Sequence, residues 1–276
     1  MRYTGTSTLR LLHYWWPLAV GWSFVVVIRR ATSLPADPYG LVALLAGILA
    51  AYSFDRVADQ STLDSTRGPD RRRATGTIAA RSTDRVHLER VLTVVGLGAT
   101  VICAMATSRL PIRTAALIPI LGVISLFYSA LKRHAVVKAI VLPGVWIWAA
   151  AVLPFNDGSW FGWHALLRPV TAPLMLLNVA ACLLCDLKDE ARDRRAGVRS
   201  LPALYGGAAT IHIAAGLAAV AAGLALVEHR AGLVFSAAAL GAATLTPSVL
   251  AVDIVGPLMV DVILTLPGIL ISAHVV

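Results

Sequence analysis

The stretch LLRPVTAPLMLLNVAACLLCD, residues 166–186, runs straight into LKDEARDRRAGVRS, residues 187–200. A helix needs about 17–25 predominantly apolar residues to cross the hydrocarbon core of a bilayer, and the first part has that length. Its end carries Asp186, Asp189 and Asp193. Residues four apart share a helix face, so Asp189-x-x-x-Asp193 aims two carboxylates at one point, as Asp55-x-x-x-Asp59 does at the end of an earlier apolar run. A carboxylate at membrane depth costs about 2.5–3.5 kcal/mol even on lenient insertion scales, so clustering five of them demands a use. Two such clusters point to a divalent cation shared between them.

Working outward, the chain is 58% hydrophobic and only 14% charged over 276 residues, which excludes an ordinary soluble domain. About nine windows reach spanning character: Leu11 to Ile28, Tyr39 to Asp59, Val86 to Ser108, Ile112 to Leu131, Val136 to Phe155, Leu166 to Asp186, Gly206 to Val227, Leu233 to Leu245 and Ser248 to Ile271. The expected architecture is all-α, a multi-pass integral membrane protein with a single domain over residues 1–276 and no Ser/Gly linker. The first window, with Trp15, Trp16 and Trp22 spread through it, reads as a span rather than a cleaved leader.

With nine spans, the loops on the acidic side hold Arg56, Arg67, Arg71, Arg72, Arg73, Arg81, Arg85, Lys132, Arg133, Lys188, Arg192, Arg194, Arg195 and Arg199, against Arg29, Arg30, Arg109, Arg113 and Arg230 on the other. The positive-inside tendency then makes the acidic side cytoplasmic. It also accounts for most of the net charge of +9, so no nucleic-acid partner is expected. Cys103, Cys182 and Cys185 fall within spans, too few for a disulfide framework, and Cys182-x-x-Cys185 lacks the second ligand pair a zinc site needs. Both acidic motifs are followed by an arginine run and a glycine, a faint echo suggesting two related halves around one site.

Mg²⁺ takes oxygen ligands, usually one or two carboxylates completed by water and substrate phosphates. Asp55, Asp59, Asp186, Asp189 and Asp193 are the candidate metal ligands. Lys132 and Lys188 as point charges, with Arg73, Arg133 and Arg199 as bidentate forks, would complete a diphosphate pocket. A diphosphate attached to a lipid is the substrate class that this location favours. Ionic pairing of the aspartates and arginines without any metal is the simpler alternative.

Asp186-Leu-Lys-Asp189-Glu-Ala-Arg-Asp193-Arg-Arg-Ala-Gly197-Val-Arg199-Ser-Leu-Pro202 resembles the second aspartate-rich motif and following loop of the UbiA superfamily of intramembrane prenyltransferases. Tyr128-Ser-Ala-Leu-Lys132-Arg133 is similar to that family's Tyr-x-x-x-Lys segment, and Asp55-Arg-Val-Ala-Asp59 to its first motif. The resemblance covers essentially the whole chain. It implies a nine-helix fold around a central cavity open to the bilayer, with Mg²⁺ and the diphosphate of an isoprenoid donor held by the two motifs. Loss of diphosphate would leave an allylic cation for an acceptor nucleophile, and the catalytic residues carried over are Asp55, Asp59, Asp189, Asp193, Lys132 and Tyr128. Tyr128, Tyr52, Phe54, Trp146 and Trp148 are candidate wall residues for cation–π stabilisation.

The chain departs from the family where an asparagine usually stands four residues before the first aspartate, here Ala51, and where the family's Arg-Pro reads Arg73-Ala74. These departures bear on the acceptor side more than on the diphosphate side. A prenyltransferase using an aromatic or other small acceptor is therefore expected, with a terpene cyclase on the same scaffold as the alternative. A transporter would place acidic residues at helix breaks near the midplane; here they cap helix ends. A non-catalytic subunit would have little reason to keep five aspartates beside a basic cluster. Asp253 and Asp261, eight apart in the last window, are expected near one face, where either would be placed to remove a proton from a carbocation.

Overall fold

A computed structural model describes residues 6–65, 78–131, 134–135, 137–155 and 163–273. Its helices are α1 (Thr6–Thr32), α2 (Pro38–Ser65), α3 (Ile78–Thr107), α4 (Ile112–Ala115), α5 (Leu117–Leu131), α6 (Leu142–Val152), α7 (Trp163–Leu166) and α8 (Thr171–Asp186), then α9 (Glu190–Ala196), α10 (Leu201–Tyr205), α11 (Gly207–Val227), α12 (Ala231–Ala243), α13 (Pro247–Leu250) and α14 (Val255–Ser272). A π-type turn, Val137–Val141, leads into α6, and a 3-10 turn, Leu187–Asp189, joins α8 to α9. The described residues contain no sheet, only one isolated parallel bridge between His134 and Arg199.

Each of the nine apolar windows overlaps a helix among the described residues, though several begin or end in turns. Among the described residues, five helical stretches are long and apolar enough to cross a membrane, and Ile112–Ser125, Val137–Val152 and Ala231–Ala243 are shorter apolar helices. The organising element is α8, because 67% of an apolar 18-residue segment within Thr171–Ala196 is buried against 28% within Gly207–Val227. Leu174, Leu177 and Leu184 point into the core from α8, and α11 meets it and α12 through Ala214, Ala218, Ala221 and Ala225. That four-three-four spacing makes a seam of small side chains, and small residues let helix backbones approach closely where lipid supplies no hydrophobic drive.

α1 and α14 touch even more closely. A Cβ placed on Gly268 would lie 2.6 Å from the Ser23 Cα, so glycine is required there. The last window differs from the sequence expectation at its start: α14 begins at Val255, not near Ser248. Pro257 lacks an N–H and fits only the first turn of a helix, while Ile254 turns the chain with φ 71 and Gly256 presses against the Leu250 carbonyl. Asp253 consequently stands outside the helix in an exposed turn rather than sharing a face with Asp261.

Candidate active site

The apolar run of α8 ends in a 3-10 turn rather than a straight helix, and this break separates the roles of its three aspartates. Lys138, on the π-type turn, places its Nζ 2.9 Å from Asp186 Oδ1 and 3.4 Å from Asp193 Oδ2. All three side chains are largely buried. Asp189 instead meets Arg192, 3.2 Å away, whose side chain is more than half exposed. The i, i+7 pair is thus gathered on a buried ammonium, and the residue between them pairs with a surface arginine that also lies 4.0 Å from Asp193.

Gly197 closes α9 in the left-handed conformation, φ 68, and the Val198 N–H donates back to the Asp193 carbonyl at 2.9 Å. This C-cap turns the chain so that Arg199 bridges His134 through the backbone. The loop following the second motif is thereby tied to the segment after α5. The Arg199 side chain is exposed. Lys132, Arg133 and Arg73 lie outside the described residues, and Asp59 and Tyr128 lie on α2 and α5 with side chains outside the description.

The first motif is linked to the second through α14. Asp261, half-buried, lies within electrostatic reach of Lys188 from the second motif and of Arg56 from the first. Lys188 Nζ also sits 3.5 Å from Asp253 Oδ1, a largely exposed partner. Asp55, half-buried on α2, carries interactions of its own. Tyr52, one turn before it, meets Trp146 edge to face with ring centroids 5.9 Å apart, which joins α2 to α6. Tyr52 and Ser53 also line a narrow apolar recess of about 60 Å³ together with Trp15, Leu49 and residues of α3.

A model of the UbiA prenyltransferase family matches residues 14–255. This chain belongs to the UbiA prenyltransferase family. Among solved structures it is similar to the apo structure of a UbiA homolog from Aeropyrum pernix K1, at 19% identity and a TM-score of 0.66, covering 93% of this chain and 98% of that one. No curated protein matches it. Family and apolar helices together make it an integral membrane protein of intramembrane prenyltransferase type.

Among the described residues no three His, Cys, Asp or Glu side chains converge to cage a metal alone. The donor set still fits Mg²⁺ as this family of reactions uses it, because the ion ordinarily completes one or two carboxylates with water and phosphate oxygens. Asp189 and Asp55 supply hard oxygen donors of that kind, while Asp186 and Asp193 are engaged by Lys138. Sequence reading missed Lys138. Its signal was present: it is the lone cation within the apolar window 136–155, and an ionisable residue at membrane depth marks a site by default.

Proposed function

We propose that this UbiA-family protein is a Mg²⁺-dependent intramembrane prenyltransferase that ionises an isoprenoid diphosphate and transfers the prenyl group to an aromatic or other small acceptor. The observation that carries the reading is the buried pairing of Asp186 and Asp193 with Lys138, beside Asp189 on Arg192 and Lys188 on Asp253, at one end of an apolar helix bundle. Such a cluster is costly in a membrane unless it binds a charged group.

In this reading the metal-binding carboxylates are drawn from Asp55, Asp59, Asp186, Asp189 and Asp193, of which Asp186 and Asp193 are paired with Lys138, and Arg73, Lys132, Arg133, Lys188 and Arg199 clamp the diphosphate. Bound Mg²⁺ supplies Lewis-acid stabilisation of the leaving group's charge. The basic side chains add preorganised charge where negative charge develops as the C–O bond breaks and its electron pair leaves with the diphosphate. Tyr52 and Trp146, with Tyr128 by family resemblance, are assigned to stabilise the allylic cation, which the acceptor nucleophile captures before losing a proton. Apolar walls keep water from quenching the cation. The excess of basic residues near the acidic ends supports a site on the cytoplasmic side.

Cyclisation without an acceptor is the second reading, favoured by Ala51 where the family's asparagine stands. Product analysis by mass spectrometry decides between them. Purified protein is given Mg²⁺ with farnesyl, geranylgeranyl or longer diphosphates, with and without aromatic acceptors, beside an Asp189→Ala/Asp193→Ala control. An adduct formed only with acceptor and lost in the control supports transfer; an acceptor-independent terpene makes the protein a cyclase.

A further inference from the structure

Building on the diphosphate reading of the site, we propose that Lys138 is a resident counter-cation of the second acidic motif: its ammonium occupies the space between Asp186 and Asp193 and leaves Asp189 as that motif's available metal ligand.

The physical case is a comparison of partners. Lys138 stands 2.9 Å from Asp186 and 3.4 Å from Asp193, with all three side chains largely out of water. Removing one member of such a buried set strands an uncompensated charge, so the set resists disruption. Asp189 pairs with Arg192, itself 55% exposed and also 4.0 Å from Asp193, and exposed pairs exchange easily. A divalent ion arriving with a diphosphate therefore meets one readily released carboxylate and two that already share a buried ammonium. The same ammonium ties the start of α6 to the ends of α8 and α9, so the motif holds its shape before any metal arrives. Mg²⁺ needs no more from it, because phosphate oxygens and water complete the shell. The five aspartates thus divide into metal ligands and a structural pair that mimics a metal-filled half-site with a side chain.

The test uses the full chain in detergent and Mn²⁺ as the probe, followed by electron paramagnetic resonance, with and without inorganic diphosphate. Lys138→Met frees Asp186 and Asp193, so Mn²⁺ binding is expected to strengthen by about tenfold, the scale on which groups beside a metal site tune affinity. Its thermal midpoint without metal falls, and added Mn²⁺ raises that midpoint more than it does in the wild type. Lys138→Arg keeps the wild-type pattern. Should Lys138→Met fail to fold, Asp186→Asn and Asp189→Asn decide: Asp189→Asn is expected to lose Mn²⁺ binding and Asp186→Asn to keep it. Unchanged or weaker Mn²⁺ binding in Lys138→Met, or equal losses in the two asparagine variants, overturns the proposal. Diphosphate release from isoprenoid diphosphates by wild-type protein is measured in parallel. Its absence refutes the enzymatic reading while the Mn²⁺ comparison still decides the role of Lys138.

Discussion

The Ser236 hydroxyl on α12 donates to the Ile263 carbonyl on α14 at 2.9 Å. Pro267, four residues on, has no N–H to give that carbonyl. Next to it, the Ser23 hydroxyl on α1 accepts the Gly268 N–H at 3.0 Å and donates to the Leu264 carbonyl at 3.1 Å. The break in α14 is therefore repaired by serines from two neighbouring helices, as a membrane interior without water requires.

Ser236→Ala is expected to cost about 1–2 kcal/mol by stranding the Ile263 carbonyl. In a Pro267→Ala background the restored N–H can serve that carbonyl, so the same substitution costs less. Reversible unfolding in mixed micelles, run as a double-mutant cycle, checks this. Equal costs in both backgrounds would remove Ser236 from the repair.

Gly268→Ala is expected to destabilise by about 1–3 kcal/mol, the usual range for overpacking. The new Cβ meets Ser23 backbone, which cannot swing away as a flexible side-chain tip would. Gly98, whose Cβ would meet nothing within 4 Å, is the control. Thermal midpoints of the two alanine variants are the measurement.

The helices were legible because hydropathy and helical period act locally, and every apolar window overlaps a helix among the described residues. Asp253 was misplaced because the start of α14 depends on a turn at Ile254 and the contact of Gly256 with Leu250, which no periodicity encodes. The acidic motifs were legible as spacing, yet spacing assumed a straight helix. The 3-10 turn at Leu187–Asp189 sends Asp186 and Asp193 to Lys138 and leaves Asp189 toward Arg192. Lys138 lies 48 residues before Asp186, and only tertiary packing brings them together.

Asp189→Asn is expected to lower kcat/KM by at least about 100-fold, the scale at which loss of a preorganised charge at developing anionic character is felt. Asp253→Asn should change it less than about threefold. Its carboxylate is 84% exposed and 3.5 Å from Lys188, and such pairs contribute about 0–1 kcal/mol. Steady-state diphosphate release from both variants checks the contrast, and comparable losses would place Asp253 in the site.

Tyr52→Leu is expected to slow turnover by about 2- to 30-fold, the rate equivalent of losing a cation–π contact of about 0.5–2 kcal/mol. Tyr52→Phe retains the ring face and its edge contact with Trp146, 5.9 Å away, and should stay near wild type. A Phe variant as slow as the Leu variant would assign the effect to the hydroxyl instead.

Asp261→Asn separates two roles for a carboxylate within electrostatic reach of Lys188 and Arg56. If it removed a proton from the carbocation, the variant would shift product identity with little change in KM. The other role is electrostatic: Lys188 and Arg56, from the two acidic motifs, both act on its charge. A residue that positions the diphosphate clamp affects donor binding in ground and transition states together. The expected outcome is a KM for isoprenoid diphosphate raised by about 10-fold, with kcat changed less and the product spectrum unaltered. Chromatography of products from Asp261→Asn beside its kinetics gives the answer, and a new olefin at unchanged KM would make Asp261 the proton acceptor.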